Sequence, residues 1–176
     1  MKEVAVFAGG CFWCTEAVFK RIKGVEKVQS GFSGGHIKNP AYKEVVTQRT
    51  GHAECIYLNY DSEIISYKDL LTIFFATHDP TTLNQQGADK GTHYRSAIFY
   101  TTPNQEKEAE DFIEYLTKEN IFEKPIVTEL NTFEVFYEAE SYHENYYDLN
   151  PDQGYCSFVI SPKIRKLTEK FNKFLK

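Results

Sequence analysis

The 176-residue chain contains one methionine and one tryptophan, no excess of positive charge and no apolar run of membrane-spanning length. Each absence excludes something. Without a continuous apolar run of about 20 residues, no helix of the chain can span a bilayer. The formal net charge is −5, and the basic residues stay dispersed until the C-terminal helix, which argues against a nucleic-acid footprint. No internal repeat, low-complexity tract or linker breaks the sequence, so one domain over residues 1–176 is expected. Met1-Lys2-Glu3 leads straight into a strand pattern without the apolar stretch of a secretion signal. A cytoplasmic monomer, binding neither membrane nor nucleic acid, is therefore expected.

Four cysteines are present, Cys11, Cys14, Cys55 and Cys156. In the cytoplasm they read as thiols or a catalytic disulfide rather than a structural framework. A zinc site would need a second Cys/His pair at ligand spacing. Cys55 and Cys156 stand alone, so no metal is expected. Tyrosine and phenylalanine are abundant, 12 and 14 residues, and for most of them packing of stiff rings is sufficient explanation.

Hydrophobic patterning gives an alternation of strands and helices. Val4-Ala5-Val6-Phe7-Ala8 reads as a strand, Phe12 to Ile22 as a helix, and Val25 to Ser33 as a second strand. A short helix is expected from Tyr42, a third strand over Ala53 to Tyr60, and a Ser66-capped helix burying Leu70, Leu71, Phe74 and Phe75. A fourth strand, Tyr94 to Thr101, precedes a helix opened by Pro103 and running to about Lys118. Val127 to Phe136 looks hairpin-like, and a terminal helix starts at Ser161-Pro162. The order β-α-β-β-α-β is the split βαβ, ferredoxin-like pattern of an α+β fold, with added helices and a long irregular C-terminal segment. Three long loops, 34–51, 79–93 and 140–158, are expected to carry function.

The most informative string is Gly9-Gly10-Cys11-Phe12-Trp13-Cys14-Thr15-Glu16. A thiol here sits where a strand hands over to a helix, and glycines keep the turn tight. The first helical turn has free N–H groups and a partial positive charge, which favours thiolate over thiol. Phe12 and Trp13 would wall off a small apolar pocket. A lone cysteine is usually a small buried hydrophobe, but this string is unusual enough to mark Cys11 as a nucleophile. For Cys14 a core position, a disulfide partner and a metal ligand all stay open.

The loops supply partners. Glu54, at the start of an apolar strand, is either a solvated strand end or a sheltered carboxyl whose raised pKa lets it donate a proton. Tyr42 is a second donor candidate. The Gly87-to-Ser96 loop offers Asp89 and Tyr94. His143 is either structural or the base of a Cys/His pair. Cys156, in a turn-rich stretch, is either a spectator or a mobile thiol able to meet Cys11.

Together these strings resemble the A-type peptide methionine sulfoxide reductases over most of the chain. Gly10-Cys11-Phe12-Trp13 is similar to that family's signature. Asn39-Pro40-Ala41-Tyr42, Gly51-His52-Ala53-Glu54, His78-Asp79-Pro80-Thr81-Thr82, Gly91-Thr92-His93-Tyr94-Arg95-Ser96 and Ala139-Glu140-Ser141-Tyr142-His143 follow in family order. The resemblance implies reduction of the S epimer of methionine sulfoxide, free or in proteins. It implies no cofactor, with thioredoxin as electron donor or dithiothreitol in vitro. It makes Cys11 the nucleophile, Glu54 the proton donor and Cys156 the resolving thiol. Cys14 is not universal in the family, and its place three residues beyond Cys11 on one helix would let it serve as a relay or backup. Tyr42 and Tyr94 become donors to the sulfoxide oxygen, Asp89 an organising residue, and Phe12 with Trp13 the methyl pocket. Gln85, Ala88 and His93 depart from the pattern around Asp89, and the glycine-rich tail with a further cysteine is missing.

Other classes make different demands. A thioredoxin-like disulfide oxidoreductase would need only Cys11 and Cys14, and a cysteine hydrolase would need His143 beside Cys11. A redox-inert interaction module would contain no fast-reacting thiol.

Overall fold

The computed structural model describes residues 1–176. Its first strand, β1 (Lys2–Gly9), becomes fully buried along its second half, which fits its near-continuous apolar run. The helix that follows, α1 (Phe12–Phe19), is buried almost all round. It ends three residues before the expected Ile22, where Ile22 bridges to Leu175 and Gly24 turns the chain at φ +89°.

β2 (Val25–Ser33), α2 (Tyr42–Val45), β3 (Ala53–Asp61) and α3 (Tyr67–Ala76) come next. Ser66 and Asp69 cap α3 reciprocally, each side chain accepting the other's backbone N–H, at 3.0 and 3.4 Å. The loop after α3 contains β4 (Gln85–Gln86) and β5 (Asp89–Lys90), a small hairpin turning at Gly87. β6 (Ser96–Tyr100) starts later than expected, because Tyr94 ends a tight 3₁₀ turn. α4 (Pro103–Lys118) begins with Pro103 and is capped by Thr102, whose hydroxyl accepts the Gln105 N–H at 3.1 Å.

Residues 127–136 do not form the expected hairpin. β7 (Glu129–Thr132) runs parallel to β6, whereas β8 (Tyr137–Glu138) joins β2 at the opposite edge. Both stretches find unpaired backbone at a sheet edge instead of pairing with each other. The chain closes with α5 (Tyr146–Leu149), a π-helical turn (Cys156–Ile160) and α6 (Ser161–Lys170).

The main sheet has the order β7-β6-β1-β3-β2-β8. β3 lies between β1 and β2 and is antiparallel to both, so the first βαβ unit is split by the third strand. One face of the sheet packs on the helices through Phe7, Phe19, Tyr67 and Phe74, with Phe7 and Phe74 stacked at 4.8 Å. Each such buried ring contributes about 1.5–3 kcal/mol by leaving water. On the other face Ala8, Ala53, Cys55 and Phe99 pack beneath Phe133 and Phe136. Cys55 belongs to that layer, and burial pushes its thiol up to about 12.

Candidate active site

The sheet register brings the end of β1 beside the start of β3. Phe7 pairs with Ile56, so Glu54 lies next to the turn where β1 gives way to α1. That turn is crowded. Gly10 has φ +95°, and a Cβ there would come within 2.7 Å of the Gln86 side chain. Gln86 cannot easily yield, since its amide both accepts from the Asp79 N–H and donates to the Asp79 carbonyl at 2.9 Å.

Cys11 occupies the N-cap of α1, and Glu54 Oε1 accepts the next residue's N–H, that of Phe12, at 3.1 Å. Glu54 is 1 % exposed, and its Oε2 has no partner. Burial pushes its pKa up to about 8, with the Phe12 N–H acting in the opposite direction. The sheltered reading of this carboxyl is therefore the one realised. At neutral pH it is a proton-bearing acid with one oxygen free to face a ligand.

Burial raises Cys11 well above an ordinary thiol, with the neighbouring Cys14 and Glu54 adding to it and the Trp13 N–H opposing. The helix start alone predicts a thiolate. Here Glu54 takes the Phe12 N–H, and loss of water outweighs the N–H that remains. Cys14 packs against Cys11, and their interaction pulls the Cys14 pKa down to about 7. Its sulfur also lies 3.5 Å from the Tyr155 hydroxyl.

Cys156 packs in one buried cluster with Cys11, Cys14, Ala17 and Ile160. Burial raises its pKa too. It does not lie in the expected mobile loop. The turn signals of Asn150 to Gln153 end before it, and the backbone is helical from Gly154. Its N–H donates to Gln153 Oε1 at 3.0 Å.

An aromatic wall stands beside these sulfurs. Trp13 stacks on Tyr146 with centroids 3.7 Å apart and planes 6° apart, and Tyr155 meets it edge-on. Phe12 packs against Phe32, Tyr42 and His143. The His143 ring does not pair with Cys11, as a Cys/His dyad would need. Its Nδ1 accepts the Trp13 indole N–H at 3.0 Å, so the neutral ring carries its proton on Nε2, which is buried without a partner. Burial holds its pKa below the ordinary histidine value.

The phenols complete the lining. Burial pushes Tyr42 up to about 12 and raises Tyr94 further, with Glu54 adding to both. Both stay protonated and can donate. Tyr42 is held by the Glu140 carboxylate, which accepts its backbone N–H at 3.1 Å. Asp89 Oδ2 accepts the Tyr155 hydroxyl at 2.5 Å, which ties the β5 loop to the segment carrying Cys156. The departing positions surround this contact. Gln85 donates to the Gly87 carbonyl at 3.3 Å, Ala88 is exposed at the hairpin turn, and His93 is buried against the Tyr94 ring.

A family model for peptide methionine sulfoxide reductase matches residues 3–175. The chain belongs to that family. The protein called peptide methionine sulfoxide reductase MsrA of Deinococcus radiodurans is 55 % identical over 170 residues, covering 97 % of this chain and 82 % of that one. Its namesake from Saccharolobus solfataricus is 55 % identical over 169 residues, covering 96 % and 94 %. Among solved structures, methionine sulfoxide reductase A of Corynebacterium diphtheriae superimposes with a TM-score of 0.81 at 34 % identity, covering 89 % of this chain and 78 % of that one.

Membership disfavours the thioredoxin-like alternative. No helix of this family member is long and apolar enough to cross a membrane, and no three His, Cys, Asp or Glu side chains gather as a metal site would require. Sequence reasoning missed Tyr146, Tyr155 and Gln86, which reach the site from distant segments. It quoted Glu16 but gave it no role. The available signal was a carboxylate on a helix otherwise made for burial.

Proposed function

We propose that this chain reduces the S epimer of methionine sulfoxide, free or in oxidised proteins, with Cys11 as nucleophile. The observation that carries the reading is Glu54, a buried carboxyl that keeps its proton at neutral pH and is anchored on the residue following Cys11. A sulfoxide becomes a good electrophile only once its oxygen is protonated or strongly hydrogen-bonded. Glu54 supplies the proton, and the Tyr42 and Tyr94 hydroxyls supply hydrogen bonds to the same oxygen. The methyl group rests against Phe12 and Trp13.

Cys11 sulfur attacks the substrate sulfur and its own proton restores Glu54. The protonated oxygen then passes to Cys11 as the new sulfur–sulfur bond breaks and its electron pair returns to the substrate sulfur, leaving a sulfenic acid on Cys11. Methionine is released. A second thiol, Cys156 with Cys14 as relay, condenses with the sulfenic acid, forming a disulfide and water. A dithiol such as thioredoxin then exchanges with that disulfide and is itself oxidised. Neither metal nor organic cofactor enters the cycle. The S assignment rests on the A-type resemblance, and a cytoplasmic site of action on the thiol chemistry. Turnover of the two separated sulfoxide epimers with dithiothreitol tests activity and stereochemistry together. The S epimer alone should yield methionine, and turnover confined to the R epimer would overturn the assignment.

A further inference from the structure

Glu16 has no part in the chemistry above, yet its side chain is buried, with 3 % of the residue exposed. It lies five residues beyond Cys11 on α1. Its Oε2 accepts the backbone N–H of Asn145 at 3.3 Å. Asn145 has φ +55°, a left-handed conformation that the chain needs to turn into α5. The next residue is Tyr146, whose ring lies flat on Trp13. Just past the end of α1, Lys20 and Arg21 reach Asp148 at 2.6 and 2.7 Å, and Lys20 also meets the Asn145 side chain.

We infer that Glu16 is a positioning residue whose buried carboxylate fixes the Asn145 turn and so seats Tyr146 on Trp13, setting the wall of the methyl pocket. The inference rests on the proposed reading of that wall. The two half-exposed cations form the outer end of the same latch, where ion pairs are worth little. The buried, charge-assisted hydrogen bond is its specific part.

The groups facing Glu16 are the Asn145 N–H and Lys20, which favour its charge, and Glu144 and Asp148, which oppose it. Burial dominates and pushes its pKa up to about 7. As pH rises through that value the carboxyl ionises and grips the Asn145 N–H more strongly, so the stack should tighten. His143 also touches Trp13, but burial shifts its titration to lower pH. Cys14 titrates near the same pH as Glu16, so variants are needed to separate them.

Trp13 is the only tryptophan, so its emission and its collisional quenching by acrylamide report the stack in the intact chain. The wild type should show falling acrylamide access with a midpoint near pH 7. Glu16→Gln keeps the acceptor and removes the titration. It should lose that midpoint while keeping KM for methionine sulfoxide within about threefold at neutral pH. Glu16→Leu should raise acrylamide access severalfold and raise KM at least tenfold, with a smaller effect on kcat. A midpoint that survives in Glu16→Gln carrying Cys14→Ser, which silences the neighbouring thiol, overturns the inference, as does a folded Glu16→Leu with unchanged quenching. If Glu16→Leu does not fold, the Glu16→Gln titration decides alone. The quenching needs neither sulfoxide nor reductant, so a failure of the activity reading would be seen separately, as absent turnover.

Discussion

Glu54 reaches across from β3 to accept the Phe12 N–H, while its second carboxyl oxygen stays buried and unpartnered. The carboxyl is thereby fixed to the residue adjoining Cys11, and no protein group pairs with its second oxygen. An unmade hydrogen bond in such a place costs about 1–3 kcal/mol. A sulfoxide oxygen entering the site would relieve that cost, which favours binding of the group to be reduced.

Glu54→Gln retains a hydrogen-bond donor but cannot transfer a proton. Single-turnover methionine formation should fall by about 10²–10⁴. In the wild type the rate of that step should decline as pH rises through about 8, where Glu54 loses its proton, and the decline should vanish in the variant. A loss well under tenfold would refute the acid role.

The same group makes stability depend on pH. The folded pKa lies above the unfolded one, so the native state binds more protons between about 4.5 and 8, and stability falls as pH rises across that window. Urea midpoints measured at pH 4.5 and 8.5 should therefore shift in favour of Glu54→Gln, relative to wild type, at the higher pH.

Cys11→Ser should abolish methionine formation even in one turnover, because Cys11 stands at the N-cap, one residue before the Phe12 N–H that anchors Glu54. Rapid-quench analysis with one equivalent of sulfoxide is the direct check. A stoichiometric burst would move the nucleophile elsewhere.

Tyr42→Phe and Tyr94→Phe each remove one donor to the oxygen. Hydrogen bonds to charged groups contribute about 1.5–3 kcal/mol. Since 1.36 kcal/mol is tenfold in rate, each variant should slow the first step by about ten- to a hundredfold. The double variant should lose more than either. Parallel single-turnover measurements with unaltered thiol titres would separate this from a folding defect.

Cys156 should be the thiol found bonded to Cys11 after one equivalent of sulfoxide without reductant. It packs in one buried cluster with Cys11, on a π-helical turn of the kind often found at functional sites. Mass mapping should give Cys11–Cys156, and Cys156→Ser should make one methionine per chain but recycle slowly. If Cys11–Cys14 is the sole disulfide and Cys156→Ser recycles at full rate, Cys14 is the resolving thiol.

The core of this molecule could be read in the sequence because its strands and helices state their own periods. The apolar run before Gly9, the alternation leading to Ser33 and the Ser66 cap all became the elements they suggested. The edges could not be read. Residues 127–138 lack the strength to choose a partner locally, so edge availability decided that β7 and β8 lie at opposite sides of the sheet. The site divides in the same way. Cys11 and Glu54 announce themselves at strand ends, but the Cys11 pKa is set first by burial and then by Cys14 and Glu54 beside it, a tertiary fact. Turn residues before Cys156 suggested mobility, whereas packing against Cys11 and Cys14 made the segment helical. Tyr146 and Tyr155 were hidden among 12 tyrosines.

The splitting of β1 and β2 by β3 has a consequence for how the molecule breathes. Amides of the β1–β3 ladder can exchange with solvent only when the central sheet itself comes apart, so their protection should approach that of global unfolding. The segment from Glu140 to Ile160 adds only the two-residue β8 before it and short helical turns within it. Its amides can open as a smaller unit, many times faster. Glu54 and Cys11 thus stand at the ends of the slowest-exchanging strands, and Cys156 on a segment joined to them by side-chain packing rather than by a sheet ladder. A disulfide can form and break in each cycle while the distance between Cys11 and Glu54 is left undisturbed.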